Sequence, residues 1–122
     1  MDKKRILIVE DEQDMMEMLG VRLRASGFDI VSAVDGEDAL EKAGKEDIDL
    51  ILLDIMLPKV DGYEVCRILR RKEYYKNIPI LMLTAKAHEK EERQGYECGA
   101  NAYFSKPFEP EALMNKINEL LK

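Results

Sequence analysis

The strongest constraint on this chain is an alternation. Five short apolar or β-branched runs, at 5–10 (RILIVE), 28–33 (FDIVSA), 49–54 (DLILLD), 78–84 (IPILMLT) and 101–105 (NAYFS), are each followed by a helix-length stretch. The first, third and fourth runs are nearly continuous, as in strands covered on both faces. The second alternates like an edge strand, and the fifth is weak. Between them, 13–26 carries Met15, Met18, Leu19 and Leu23 at helical spacing and closes at Gly27. Asp35 stands three residues before Asp38 at the opening of 36–45, and Asp61 with Glu64 has capping-box spacing at the opening of 62–72. A stretch at 88–98 ends at Gly99, and 111–121 follows Pro110, with Glu109 as a poor cap. Strands that alternate strictly with helices need crossover connections, which are right-handed. The expected fold is a three-layer α/β sandwich with a doubly wound, parallel, five-stranded sheet.

Length and charge narrow the function classes. A chain of 122 residues makes one domain, expected here over 1–122 with no output domain and large enough to bury an ordinary core. The net charge of −6 argues against nucleic acid or an anionic membrane as a direct partner. Cys66 and Cys98 fit neither a disulfide framework nor zinc-ligand spacing and read as reduced thiols. The opening MDKKRILIVEDE has an apolar stretch of only four residues, too short for a signal peptide or a membrane span. A cytoplasmic location is expected.

In an open α/β sheet, ligands bind beyond the carboxyl ends of the strands. Those ends carry Glu10-Asp11, then Val34-Asp35, Asp54, Thr84 and Lys106. Asp54 is the most demanding of them. It follows Leu50-Ile51-Leu52-Leu53, where desolvating a charge is expensive, and it has no evident capping role. Taken singly, the others have bland readings: acids at a helix N-terminus for Glu10-Asp11-Glu12, a helix cap for Thr84, a loop for Lys106-Pro107. Together they make one rim.

Clustered carboxylates suit a hard divalent cation, and Mg²⁺ typically takes one or two carboxylates, waters and a phosphate oxygen. A carboxylate beside such a metal is also a nucleophile toward phosphorus. The added oxygens then need positive charge and donors, which Lys106 and Thr84 supply. No Gly-rich phosphate loop is present, and His88 has no catalytic neighbour in sequence.

The stretches ILIVEDE (6–12), LILLDIMLPKVDGYEV (50–65), IPILMLTA (78–85) and GANAYFSKPF (99–108) resemble the receiver domain of two-component response regulators in content, order and interval. The resemblance implies strand order 2-1-3-4-5, as in flavodoxin-like folds, and phosphoryl transfer from a sensor histidine kinase or a histidine phosphotransfer protein. It makes Asp54 the phosphoacceptor. It assigns Mg²⁺ (or Mn²⁺) to Asp11, Asp54 and the Met56 backbone carbonyl, with Glu10 acting mainly through a metal-bound water. Thr84 and Lys106 contact the phosphoryl group, and Tyr103 is the aromatic switch residue. A cis Lys106–Pro107 bond is also implied. Signalling would pass to a downstream protein target through the surface formed by 88–98, the strand near Tyr103 and the last helix. The oligomeric expectation is a monomer or a weak, phosphorylation-dependent dimer. Related DNA-binding regulators usually have acids where this chain has Asn101 and Ala102, and bases where it has Asn115 and Asn118. Met15, at the rim end of the first helical stripe, and Met16, off that stripe, are candidate partner contacts.

The competing function is a Mg²⁺-dependent phosphohydrolase with Asp54 as nucleophile. Such enzymes place a proton-transferring aspartate two residues on, where this chain has Met56. The sequence therefore favours a switch that catalyses only its own phosphorylation and dephosphorylation.

Overall fold

A computed structural model describes residues 3–45, 47–55, 61–84, 98–106 and 108–122. The strands are β1 (Arg5–Val9), β2 (Asp29–Ala33), β3 (Leu50–Asp54), β4 (Ile80–Thr84) and β5 (Ala102–Ser105). They form one parallel sheet in the order β2-β1-β3-β4-β5. The helices among the described residues are α1 (Gln13–Ala25), α2 (Gly36–Lys45), α3 (Gly62–Arg71) and α4 (Pro110–Leu120), with a 3-10 turn at Glu73–Tyr75. The expected helix at 88–98 lies, all but Cys98, outside the described residues. No described helix is long and apolar enough to cross a membrane.

Side chains alternate across each strand, so the sheet divides its apolar residues between two cores. Leu7, Val9, Ile51, Leu53, Ile80 and Met82 face the layer containing α2 and α3. Ile6, Ile8, Leu50, Leu52, Leu81 and Leu83 face α1 and α4 through Leu19, Leu23, Leu113 and Ile117. Every residue of β3 and β4 is buried, which explains their unbroken apolar runs. Each large aliphatic side chain so buried contributes roughly 1.5–3 kcal/mol. The alternating character of β2 reflects its edge position, where only Ala33 of the strand is fully buried.

Local signals set the ends of the elements. Asp61 caps α3 by accepting from Glu64 N–H at 3.0 Å, and Asp35 accepts from Asp38 N–H at 2.7 Å. Beyond α1, Gly27 N–H donates to Arg24 O and Phe28 N–H to Leu23 O, a complete Schellman closure. Glu109 makes no side-chain cap bond, so α4 starts with Pro110 in its first turn and no such support. Asn101 lies just before β5: its Oδ1 accepts from Ile80 N–H at 2.9 Å and from Arg70 Nη2 at 2.6 Å, and its own N–H donates to Ile80 O at 2.8 Å. Met15 and Met16 are both half-buried against the α1–α4 core. Met16, although off the stripe, is half-buried like Met15, so each keeps part of its side chain at the surface where a partner contact was expected.

Candidate functional site at the carboxyl edge of the sheet

Strand register assembles the rim. Val9 pairs with Leu53, so Glu10 and Asp54 leave neighbouring strands side by side. Leu83 pairs with Asp54, and Thr84 with Ser105, which carries the rim on through Thr84 to Lys106. Backbone bonds hold these exits: Glu10 N–H to Ala33 O at 3.0 Å, Ile55 N–H to Leu83 O at 3.0 Å, and Lys106 N–H to Thr84 O at 2.6 Å. The crevice lies between β1 and β3, where the strand order reverses.

The three polar residues that are buried in the described structure all belong to this rim: Glu10 at 1%, Asp54 at 4% and Thr84 at 3% exposure. Lys106 reaches over them. Its Nζ lies 2.7 Å from Glu10 Oε1, 3.4 Å from Asp54 Oδ2 and 4.0 Å from Glu12 Oε1. The other Glu10 oxygen accepts from Glu12 N–H at 3.3 Å. Burial pushes the Glu10 carboxyl up to about 7, against the opposing hydrogen bond from Lys106 and with the help of neighbouring Asp54. Burial acts to lower the Lys106 ammonium, but its bond to Glu10 and the charge of Asp54 outweigh it and hold the group above its ordinary value.

Ligand oxygens of Glu10, Asp11 and Asp54 lie within 4.8 Å of one another, with Asp11 exposed at the mouth. Three carboxylates face one ammonium, an excess of negative charge that a divalent cation relieves. All donors are hard oxygens, so the set fits Mg²⁺ or Mn²⁺ and not a thiolate-seeking metal. Met56 and Pro107, and with them the expected carbonyl ligand and the cis bond, lie outside the described residues.

Two features escaped the sequence reading. Gly62 packs against the end of β3: a Cβ there would stand 2.7 Å from both Asp54 O and Ile55 Cα. Its N–H donates to Ile55 O at 3.0 Å, so α3 is seated directly behind the acidic residue. The only signal was a glycine in the first turn after the Asp61 cap. The direct Glu10–Lys106 pair, between residues 96 apart in sequence, left no local trace.

Fold and rim together define a flavodoxin-like α/β domain with an acidic, oxygen-lined site at its topological switch point. Residues 6–118 match the family model for the response regulator receiver domain. The chain is 46% identical over 119 residues to the alkaline phosphatase synthesis transcriptional regulatory protein PhoP of Bacillus subtilis (strain 168), covering 98% of this chain and 49% of that protein. It is 42% identical over 118 residues to the DNA-binding dual master transcriptional regulator RpaA of Synechocystis sp., covering 97% of this chain and 49% of that protein. Among solved structures, the Vibrio cholerae chemotaxis response regulator CheY4 superposes with a TM-score of 0.93 at 32% identity, covering 98% of this chain and all of that one (100%). The receiver domain of a sensor histidine kinase from Pseudomonas aeruginosa PAO1, with a magnesium ion in its active site cleft, superposes at 0.91 with 31% identity and 98% coverage of each.

The chain belongs to the receiver domain family of two-component response regulators. It is a phosphorylation-dependent signalling domain, and the family does not favour the phosphohydrolase alternative. The chain spans about half the length of the curated relatives it matches.

Proposed function

We propose that Asp54 is the phosphoacceptor of this switch and that Glu10, Asp11, Thr84 and Lys106 serve its reaction. The observation that carries this reading is the placement of Asp54. It ends the central strand, is 4% exposed, and has Lys106 Nζ 3.4 Å from one carboxylate oxygen. The donor is a phosphohistidine on a sensor kinase or a phosphotransfer protein. An Asp54 oxygen attacks phosphorus, the P–N bond breaks, and the imidazole leaves with its electron pair. Mg²⁺, when held by Asp11 and Asp54 with the Met56 carbonyl, would neutralise charge on the phosphoryl oxygens. Glu10 anchors Lys106 within reach of those oxygens, and Thr84 offers its hydroxyl from the next strand. The domain catalyses only its own phosphorylation and hydrolysis.

The output runs through Thr84 and Tyr103. Parallel partners project on the same side, and the pairs Thr84–Ser105 and Met82–Tyr103 put Thr84 and Tyr103 on one face of adjacent strands. Tyr103 is half-buried against the α2–α3 core. A phosphoryl group that draws the Thr84 hydroxyl inward frees space for the ring, shifting an existing equilibrium toward a state that a protein target reads. The net charge of −6 suits protein partners for this domain rather than nucleic acid. We place the domain in the cytoplasm, beside the phosphohistidine donor that its reaction needs.

The test is intact mass after incubation with acetyl phosphate and Mg²⁺. Wild type should gain one phosphoryl group and Asp54→Asn none. Equal incorporation by both would remove Asp54 from the role.

A further inference from the structure

The two cysteines, distant in sequence, meet in the fold. Cys66 lies in the middle of α3 and Cys98 immediately before Gly99, and both are buried in the α2–α3 core. Cys66 Sγ donates to Cys98 O at 3.3 Å, which brings the two cysteine residues into direct contact. No disulfide joins them.

One helical turn further along α3, Arg70 repeats the contact against the next residue. Its Nε donates to Gly99 O at 2.9 Å, and its Nη1 and Nη2 reach Ile78 O and Asn101 Oδ1, each at 2.6 Å. Gly99 sits at φ +110°, where a Cβ would meet Arg70 Cγ at 2.7 Å. Residues 66 and 70 of one helix therefore grip residues 98 and 99 of the other segment, and the Arg70 contacts hold the two segments together without involving sulfur.

We propose that Cys66 and Cys98 are a modification site: a low-molecular-weight disulfide oxidises them to a reversible intramolecular disulfide that ties α3 to the entry of β5. The hydrogen bond from Cys66 holds the Cys98 thiol below its ordinary range despite burial, and the Arg67 charge helps. Cys66 is pushed in the opposite direction, by that same hydrogen bond and by burial. Cys98, 7% exposed where Cys66 is wholly buried, is the thiol a small oxidant meets first and so the first nucleophile. Its thiolate attacks one sulfur of the oxidant, giving a mixed disulfide and releasing one small thiolate. Cys66 then attacks the Cys98 sulfur, loses its proton to solvent and expels the second small thiol. Two protein thiols are oxidised, and one small disulfide is reduced to two thiols.

The probe is oxidised glutathione, followed by alkylation in denaturant and mass measurement of the whole chain. Wild type should lose the mass of two hydrogen atoms, take up no alkylating agent, and yield a proteolytic fragment linking Cys66 to Cys98. A thiol reductant should restore both sites. Cys66→Ser, which lacks the second thiol, should stop at one glutathione adduct on Cys98. The proposal is overturned if wild type keeps both thiols, ends as a stable glutathione adduct, or couples between chains. The wild-type measurement stands by itself should the buried serine disturb folding.

Discussion

The two ends of the sheet both carry charge, and they use it differently. At the amino end, Lys3, Arg5, Asp29, Asp47 and Asp49 line an open hollow of about 320 Å³ in which no residue is fully buried. Asp49 does a structural job there. Its Oδ2 accepts from Arg5 N–H at 2.7 Å while its own N–H donates to Arg5 O at 2.8 Å, closing the start of the β1–β3 ladder. At the carboxyl end, Glu10 and Asp54 are sealed beside each other with Lys106 as the shared ammonium. Charges left in water or used on backbone donors cost little. A carboxylate buried beside another gains proton affinity, as Glu10 does, and is retained at a cost in stability. That difference separates a folded edge from a working one.

The largest way to break the contrast is Lys106→Met. It keeps the apolar stem and removes the donor, and labelling by acetyl phosphate should slow by roughly 10²-fold, the scale of losing one charge-stabilising donor. A rate within about twofold of wild type would show that Lys106 serves only Glu10. The next effect is on stability. Mg²⁺ at about a hundred times its dissociation constant should stabilise the fold by about 2.7 kcal/mol. Asp11→Ala should abolish that thermal shift, and an unchanged shift would take Asp11 out of the metal's surroundings.

A pH-dependent effect on stability follows from Glu10. Its folded carboxyl titrates near 7 against an ordinary value of 4.5, so between those values the folded state holds more proton than the unfolded chain. Metal-free stability should therefore fall as pH rises through that window, with the contribution of Glu10 fully present below it and lost near pH 7. Denaturant titrations should show the slope in wild type and a flatter profile in Glu10→Gln; parallel profiles would mean that Glu10 titrates normally. Smallest of all, Asp49→Ala at the amino end should cost about 1 kcal/mol by leaving a backbone donor without its partner. Labelling by acetyl phosphate should not change, and a lowered rate would erase the distinction between the two ends.

What the sequence made legible follows from the same distinction. Asp54 announces itself because it ends a run that the sheet buries completely, so the polar residue has to be explained; Thr84 ends a similar run but taken alone reads as a helix cap, and only the rim as a whole singles it out. Asp61 and Asp35 are legible as caps because capping is a matter of three or four residues. Glu10 was harder. Beside Asp11 and Glu12 it resembles an ordinary acidic helix entry, and only the register of β1 on β3 reveals that Glu10 is buried while Asp11 stays exposed. Arg70 was not legible at all: in sequence it is one of two arginines in the last turn of a helix, yet it joins α3 to Ile78, Gly99 and Asn101. Such links depend on where remote strands come to rest, which local periodicity does not encode.

The central claim is that the carboxyl edge exists to place a phosphoryl group on Asp54. The most direct measurement is to phosphorylate the chain with acetyl phosphate and Mg²⁺, reduce it with borohydride, which converts an aspartyl phosphate to homoserine, and locate the altered residue by fragment mass. The account predicts homoserine at position 54 and nowhere else. Homoserine at Asp11, or at an amino-end aspartate such as Asp49, would contradict it.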